Sequence, residues 1–313
     1  MKPKKPPPAP LLKIAGYSSD PAMLGEALAL LAAAAYGVAG VSIVHAKPQA
    51  QGDNGIFLSI VVTAICSWGL WLFTADASHD VLLSGASGMA LLIFACAGIC
   101  ANVLGRQTMY RVTEVAGAVN AGLLRRLVPV FALPCAFLVL GQTPGPQVLV
   151  GGVFVLAGVL FYLNPNKTPL GGWVALGTVS ALAYAMAYTL RGLGLLYLPD
   201  AALGTAIGAS VASVWVAAGT VLRQGCLHSW HHITVDRTTA HWITAGALST
   251  GQILQFFALK HTTVAAVSVL GAMDVLFAAV LMRWRPTQEN VALARLLLAM
   301  VLAMIGSALL LAP

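Results

Sequence analysis

Charged side chains are scarce in this chain. Lys, Arg, Asp and Glu make up 9% of its 313 residues, whereas hydrophobic residues make up 59%. Soluble domains contain about 25% charged and about 45–50% apolar residues, so this composition excludes a soluble domain of any size. Apolar stretches of about 20 residues, the length that crosses a bilayer, recur along the whole sequence. We therefore predict an all-α, polytopic membrane protein.

Cysteine is also scarce, which argues against a disulfide framework. Four of the five cysteines lie in apolar stretches, where they are typical small core residues: Cys66, Cys96, Cys100 and Cys135. The fifth begins the segment Cys226-x-His228-x-x-His231-His232, whose spacing matches no standard zinc site. The sequence therefore predicts no metal site and no cofactor.

The basic excess, a net charge of +7, is partly concentrated at the N terminus. Residues 1–22 contain four lysines and one aspartate, and prolines or lysines fill positions 2–8. Such a segment is typical of a disordered basic tail that contacts the surface of a lipid bilayer rather than nucleic acid. No apolar segment of a signal peptide follows these lysines before Pro21, so the first membrane helix is expected to serve as the insertion signal.

Ten membrane helices are predicted from the apolar stretches and from the Gly, Pro, Asn and Asp residues that separate them. They cover residues 23–45, 55–73, 84–106, 114–140, 146–163, 170–190, 201–222, 240–260, 263–282 and 291–311. The ten divide into two sets of five, within residues 23–163 and 170–313. An odd number of helices in each set turns the second set upside down in the membrane, which is the inverted-repeat arrangement of secondary transporters.

Three charged residues lie inside apolar runs, where charge is costly. Arg125 and Arg126 interrupt the run 114–140, and Asp274 interrupts the run 264–282. One charged side chain at the centre of a membrane helix costs about 2.5–3.5 kcal/mol. We therefore expect these side chains to face one another, or water, on a path through the membrane.

The two arginines cannot share one partner, because adjacent helical residues project about 100° apart. One is expected to pair with Asp274, and the other to present an unpaired guanidinium to a cavity, where it would bind a carboxylate or phosphate of the substrate. Both arginines could instead be structural cations bonded to carbonyl groups. Asp274 is also a candidate proton carrier, because buried carboxyl groups serve in proton relays.

Four polar side chains on otherwise apolar helices complete the candidate residues for substrate binding or coupling: Gln252, Gln255, Asn120 and Tyr184. Gln252 and Gln255 lie three residues apart on one predicted helix and so share a face. Each of the four can also be explained by an ordinary interhelical hydrogen bond.

Several motifs resemble those of a known family. The segments Val128-Pro129-Val130-Phe131, Leu140-Gly141-Gln142-x-Pro144 and Phe257-Ala-Leu-Lys260 follow its pattern in order and spacing. On these motifs the chain resembles the EamA-type transporters of the drug/metabolite transporter superfamily over roughly residues 23–311. It departs from the family where Gln142 replaces a frequent Glu, and where Asp274-Val275 replaces a frequent Glu-Pro pair.

The resemblance implies two five-helix repeats around a central cavity and the transport of a small molecule. We expect a secondary transporter, with export as the favoured direction, that moves a small polar or anionic metabolite by alternating access, and not an enzyme. The short loops and the lack of organelle signals favour a bacterial inner membrane. Monomeric and homodimeric states are both compatible with the sequence.

Two other functions remain as alternatives. A lipid-moving protein or a non-transporting membrane scaffold would place its charges near the level of the lipid head groups, beside a groove open to lipid. Gly85-Ala86-Ser87-Gly88 resembles the nucleophile motif of rhomboid intramembrane proteases. Such an enzyme needs a histidine base deep in another helix. Because His45, His79 and His261 lie near predicted helix ends or in loops, a protease is the remotest alternative.

Overall fold

The structure, a computed structural model, describes residues 19–74, 85–141 and 171–284, apart from residues 225 and 272, together with single helical residues within 146–161 and 294–309. Every secondary-structure element assigned in these residues is helical. Seven of their helical stretches are long and apolar enough to cross a membrane, so the predicted all-α membrane architecture is confirmed. The predicted tail 1–22 and the predicted helices 146–163 and 291–311 lie largely outside the described residues, and the ten-helix, two-repeat count stays a prediction.

The described N-terminal part contains six helices and a π-helical segment. They are α1 (Ser19–Ala46), α2 (Ile56–Thr74), α3 (Gly85–Gly98), the π-helical segment (Ile99–Gly105), α4 (Arg106–Ala116), α5 (Ala118–Arg125) and α6 (Leu127–Leu140). Because α3, the π-helical segment and α4 follow one another without a break, they form one long membrane-spanning stretch.

The described C-terminal part contains six more helices. They are α7 (Gly172–Tyr197), α8 (Ala201–Gln224), α9 (Cys226–Thr234), α10 (Thr239–His261), α11 (Val264–Gly271) and α12 (Asp274–Trp284). The start of α10 is capped by Thr238, whose hydroxyl and backbone N–H both lie within hydrogen-bond distance of Nδ1 of His241, at 2.8 and 3.1 Å.

The predicted loop between residues 106 and 114 is wrong. The helix continues through this region to Ala116, because the intervening residues contain neither Gly nor Pro to end it. It ends only at Gly117, whose φ of 91° suits a glycine. The next helix therefore begins at Ala118 rather than at Glu114.

Two further boundaries differ from the predictions. The helix predicted over 170–190 extends to Tyr197, two residues before Pro199. The residues 223–239, which were expected to form the longest loop, contain the short helix α9. The first of these differences places Arg191 inside a membrane helix instead of at its end.

The helices pack mainly between the N-terminal and C-terminal parts of the chain. α1 lies along α10, and α2 contacts both α8 and α10, while α7 contacts α3, α4, α5 and α6. The buried face of α1 consists largely of small residues, of which Ala32, Ala33 and Ala39 are at most 1% exposed. Small residues let helix backbones approach closely in membrane interfaces, and this close packing fixes the positions of the larger polar side chains described below.

Two membrane-spanning stretches are broken in their interior. One break separates α5 from α6 at Arg126, and the other precedes α12 at Met273, which forms a turn. α12 packs against both α5 and α1. The two breaks therefore lie next to each other inside the bundle.

A hydrogen-bonded latch joins the two parts of the chain at one end of the bundle. We use this name for Asp236, just before α10, and residues 51–54, between α1 and α2. The carboxylate of Asp236 accepts hydrogen bonds from the backbone N–H groups of Gln51, Gly52 and Asn54, at 2.7, 3.0 and 2.7 Å. Three bonds to one carboxylate hold the connection between α1 and α2 against the C-terminal part.

Asn54 extends the latch through its side chain. Its amide oxygen lies 3.1 Å from Nε2 of His241 on α10, and its amide nitrogen donates to Glu114 on α4 at 2.9 Å. Glu114 also forms an ion pair of 3.1 Å with Lys47. Side chains from α1, α4 and α10 are thus joined through one asparagine.

Gly37 sets the distance between α1 and the start of α12. A methyl group at this position would lie 2.6 Å from Cβ of Phe277 and 2.8 Å from the carbonyl oxygen of Asp274. We predict that Gly37→Ala destabilises the protein by about 1–3 kcal/mol, because the backbone of α12 must move. Thermal unfolding of the detergent-purified protein measures this loss.

The matched control is Gly246→Ala on α10, where an added methyl group meets no atom within 4 Å. This variant is expected to change stability by no more than about 1 kcal/mol, as helix propensity alone predicts. Equal melting temperatures for the two variants would contradict the close contact between α1 and α12.

Candidate functional site

The two helix breaks bring Arg125 and Asp274 together. Pro129 provides no N–H group for the carbonyl of Arg125, so the helix is interrupted there. Arg125 is the last residue of α5, and Asp274 is the first residue of α12. Helix dipoles stabilise a cation at the C-terminal end and an anion at the N-terminal end. Nη1 of Arg125 lies 3.3 Å from Oδ2 of Asp274, and both side chains are almost completely buried, at 6% and 4% exposure.

Two tyrosines hold the guanidinium of Arg125 on its other sides. The carbon Cζ of Arg125 lies 4.4 Å from the ring centroid of Tyr36 on α1 and 5.1 Å from that of Tyr184 on α7. Both distances are within the range of cation–π attraction. Arg125 is therefore fixed by one carboxylate and two aromatic faces.

A second buried arginine, Arg106, has only neutral hydrogen-bond partners among the residues that the structure describes. Its Nη1 donates to the hydroxyl of Ser59 on α2 at 3.0 Å, and its Nη2 donates to Oε1 of Gln252 on α10 at 2.6 Å. The side chain is 2% exposed. A full positive charge is thus held inside the bundle without a carboxylate bonded to it.

Arg191 repeats this arrangement on α7. Its Nη1 donates to Oε1 of Gln255 at 3.2 Å, and the same oxygen accepts from the hydroxyl of Tyr36 at 3.3 Å. The amide nitrogen of Gln255 donates to the hydroxyl of Tyr188 at 2.6 Å. The guanidinium also lies over Phe256, with its carbon 5.1 Å from the ring centroid.

A narrow pocket of about 10 Å³ lies between these groups. Arg106 and Arg125 both line it, with Tyr36, Tyr110 and Tyr184. Ligand pockets usually have volumes of roughly 300–1,000 Å³, so this pocket is contracted to about the space of one water molecule. Both arginines nevertheless line one small space.

A wider cleft of about 380 Å³ lies beside the latch. Its wall includes Lys47, Arg111, Glu114 and His232. α4 lies between the cleft and the pocket, because Gln107, Arg111 and Glu114 line the cleft, and Arg106, Met109 and Tyr110 line the pocket.

The structure distributes the remaining predicted residues unevenly. One of the two arginines was expected to pair with Asp274 and the other to face a cavity. Arg125 pairs with Asp274 and also lines the pocket, whereas Arg126 is 1% exposed and occupies the turn between α5 and α6. Asn120 donates its amide to the carbonyl of Ala116 at 2.7 Å, across the break at Gly117, and it does not line the pocket.

Sequence reasoning missed Arg106 and Arg191, because predicted helix ends placed both at the membrane surface. A signal for Arg106 existed: the sequence from residue 106 to Ala116 contains no helix breaker before Gly117. Ser59 and Tyr36 gave no comparable signal, since single serines and tyrosines are common in membrane helices.

Asn102 lies in the π-helical segment, four residues before Arg106. Its side chain is completely buried, and neither atom of its amide has a hydrogen-bond partner among the described residues. Segments of π-helix often mark functional sites, because they alter the direction of side chains within a helix.

Comparison with known proteins gives a family and a fold. Residues 23–164 match the model of the EamA-like transporter family. None of the curated proteins matches the chain. A solved crystal structure is similar in fold, with a TM-score of 0.62 and 15% sequence identity, over 94% of this chain and 98% of that chain.

The family match covers the segments that contain Arg106, Arg125 and Tyr36. The resemblance that the sequence motifs indicated is therefore confirmed, and with seven apolar helical stretches the protein is an integral, multi-pass membrane protein. Residues 23–164 are therefore similar to the EamA-like transporter family of the drug/metabolite transporter superfamily.

Proposed function

We propose that the protein is a secondary transporter that moves a small anionic metabolite by alternating access, in the direction of export, across a bacterial inner membrane. The observation that carries this proposal is the narrow pocket lined by Arg106 and Arg125. A membrane-buried arginine costs about 2.5–3.5 kcal/mol on insertion scales, and the hydrogen-bond partners of Arg106 within the described part of the chain are all neutral. A negatively charged ligand in this pocket would compensate that cost.

The contracted pocket supports alternating access. In the present conformation the pocket is too small for most metabolites, and the latch closes the bundle beside the cleft. A substrate therefore has to enter when these helices separate. It biases that change only if it binds the two arrangements with different affinity. Contacts with guanidiniums on α4 and α5 provide such a difference, because these helices would move relative to each other.

We further propose that transport is coupled to a proton through Asp274. A substrate anion that binds Arg125 competes with Asp274 for the same guanidinium. A buried carboxylate that loses its partner is strongly unfavourable, and Asp274 then takes up a proton. The substrate and one proton would cross together, and the ion pair would form again after release.

The alternative of a lipid-moving or scaffold protein has less support. That alternative expects charges near the head-group level, beside a groove open to lipid. Arg125 and Asp274 instead lie at breaks in the interior of two membrane-spanning stretches, and both are buried. This placement favours a substrate path through the protein.

The first prediction concerns the ion pair. We expect Arg125→Gln and Asp274→Asn each to abolish export and to lower stability by about 3–5 kcal/mol, because each leaves an uncompensated buried charge. The double variant is expected to recover most of the stability but no transport. Untargeted metabolite profiles of cells and medium, at matched membrane levels, report transport, and thermal unfolding reports stability.

The control for the ion pair is Arg237→Gln, which removes an exposed arginine outside the bundle. Its metabolite profile should match that of the wild type. If the profiles of Arg125→Gln and of the double variant also match the wild-type profile, the proposed role of the pair is refuted.

A second prediction tests proton coupling. In vesicles without a membrane potential, an interior more alkaline than the medium should accelerate uptake of the transported anion, because the proton moves with it. Asp274→Asn should abolish this acceleration in any transport that remains. If the imposed pH gradient does not change the rate of uptake by the wild type, transport is not coupled to a proton.

A third prediction concerns the latch. Asp236→Ala removes the acceptor of three backbone hydrogen bonds, and hydrogen bonds to charged groups contribute about 1.5–3 kcal/mol each. We expect the open arrangement at this end to become at least about ten-fold more populated, since about 1.4 kcal/mol suffices for that change.

The measurement for the latch uses a cysteine-free background with Ile43→Cys, a residue that lines the pocket. A membrane-impermeant thiol reagent should label this cysteine faster in the Asp236→Ala variant. The neighbouring exposed Arg237→Ala serves as the control and should label at the wild-type rate. Unchanged labelling in Asp236→Ala would mean that the latch does not control access.

A further inference from the structure

We infer that the substrate of the central pocket is a small dianion, a molecule with two negative charges such as a dicarboxylate or a phosphate monoester. The inference rests on the proposed function and adds the charge of the substrate to it. Three observations lead to it: the balance of buried charge, the hydrogen-bonding character of the pocket wall, and the position of two arginines on one small space.

The balance of buried charge is strongly positive. Four buried arginines lie within membrane-spanning stretches or at their breaks: Arg106, Arg125, Arg126 and Arg191. Within the described residues, Asp274 is the one buried acidic residue in such a stretch. Asp274 pairs with Arg125 and also acts on Arg126, whereas the described hydrogen-bond partners of Arg106 and Arg191 are neutral.

The rest of the sequence has few acids to offer. The chain contains ten acidic residues, and the nine other than Asp274 lie between predicted membrane helices or within four residues of the end of one: Asp20, Glu26, Asp53, Asp76, Asp80, Glu114, Asp200, Asp236 and Glu289. Charges at helix ends are solvated by water and are too far from the arginines in the middle of the bundle to compensate them. A bound substrate is therefore the natural source of the missing negative charge.

The pocket wall offers donors of hydrogen bonds. The two nearby glutamines are not among the described lining residues, and their side-chain oxygens accept from Arg106 in the case of Gln252, and from Arg191 and Tyr36 in the case of Gln255. The guanidiniums of Arg106 and Arg125 are donors only. A ligand rich in acceptors, with carboxylate or phosphate oxygens, matches such a wall, whereas an ammonium group does not.

The number of charges follows from which arginines line the pocket. Arg106 reaches it from α4 and Arg125 from the end of α5, so the two guanidiniums approach one small space from different helices. A ligand with one negative charge can compensate only one of them. A compact dianion compensates both, while Asp274, displaced from Arg125, takes up the proton of the proposed coupling. The small volume of the pocket favours a small ligand.

The experiment uses everted membrane vesicles from cells that express the full-length protein. The vesicles are incubated with the aqueous small-molecule extract of the same cells. Mass spectrometry then identifies the compounds that accumulate to a higher level than in vesicles without the protein. We expect the accumulated compounds to be dianions at neutral pH, where a phosphate monoester carries about two negative charges. The extract contains dicarboxylates and phosphate esters together, so the same measurement distinguishes these two sources of the charge.

A matched series of competitors tests the charge directly. Succinate, succinamate and succinamide share a carbon skeleton and carry two, one and no negative charges, and methyl phosphate and dimethyl phosphate differ in the same way. Each compound is tested as an inhibitor of uptake of the accumulated compound. We expect the doubly charged member of a series to inhibit at a concentration at least about ten-fold lower than the singly charged member. Arg106→Gln should reduce this ratio several-fold.

Two further variants separate charge from folding. Arg106→Lys keeps the positive charge and should retain a preference for the dianion. Arg111→Gln removes an arginine of the same helix, α4. Arg111 lines the cleft and not the pocket, so this variant should leave the ratio unchanged. The assignment to Arg106 would be overturned if Arg106→Lys lost the preference for the dianion as fully as Arg106→Gln does. It would also be overturned if Arg111→Gln lost that preference to the same extent.

The possible outcomes separate this inference from the proposed function. Accumulation of compounds with one negative charge, or equal competition by succinate and succinamate, overturns the dianion and leaves an anion transporter. Accumulation only of cations or neutral compounds overturns both. No accumulation by protein that is monodisperse after extraction from the same vesicles also counts against both.

Discussion

The ion pair between Arg125 and Asp274 is the interaction on which the interior of this protein depends. Each partner lies at a break in a membrane-spanning stretch, where the end of a helix favours its charge. The breaks adjoin because α12 packs closely against α1 and α5, with Gly37 at the contact. Without the pair, both breaks would leave a charge in a low-dielectric environment. The pair therefore links the packing of the bundle to the chemistry of the pocket.

Around this pair, the protein keeps further arginines inside the membrane with neutral partners. Glutamine oxygens, a serine hydroxyl and aromatic faces hold Arg106 and Arg191 in place. These partners are weaker than a carboxylate, so they can stabilise the empty site without competing strongly with an anionic substrate. Asp274 differs, because in the proposed mechanism its carboxyl group loses the guanidinium of Arg125 and takes up a proton. The proposed coupling between substrate and proton therefore depends on this one residue.

Much of the fold and part of the site could be predicted from the sequence. Apolar runs identified most described helices, and the cost of charge in a membrane singled out Arg125 and Asp274. Arg106 and Arg191 were missed because hydropathy locates a helix but not its end, and an arginine near a supposed end looks solvated. Contacts such as that of Arg125 with Tyr36 depend on how α1 and α5 are rotated about their axes. A single sequence, read by itself, does not contain that information.

The most direct test of the central claim is a structure of the protein determined with its transported anion bound. The account predicts that the anion lies in the pocket between Arg106 and Arg125, with its oxygens within hydrogen-bond distance of both guanidiniums, and that the 3.3 Å contact of Arg125 with Asp274 is lengthened or lost. An anion bound elsewhere, with that contact and the bonds of Arg106 to Ser59 and Gln252 unchanged, would contradict it.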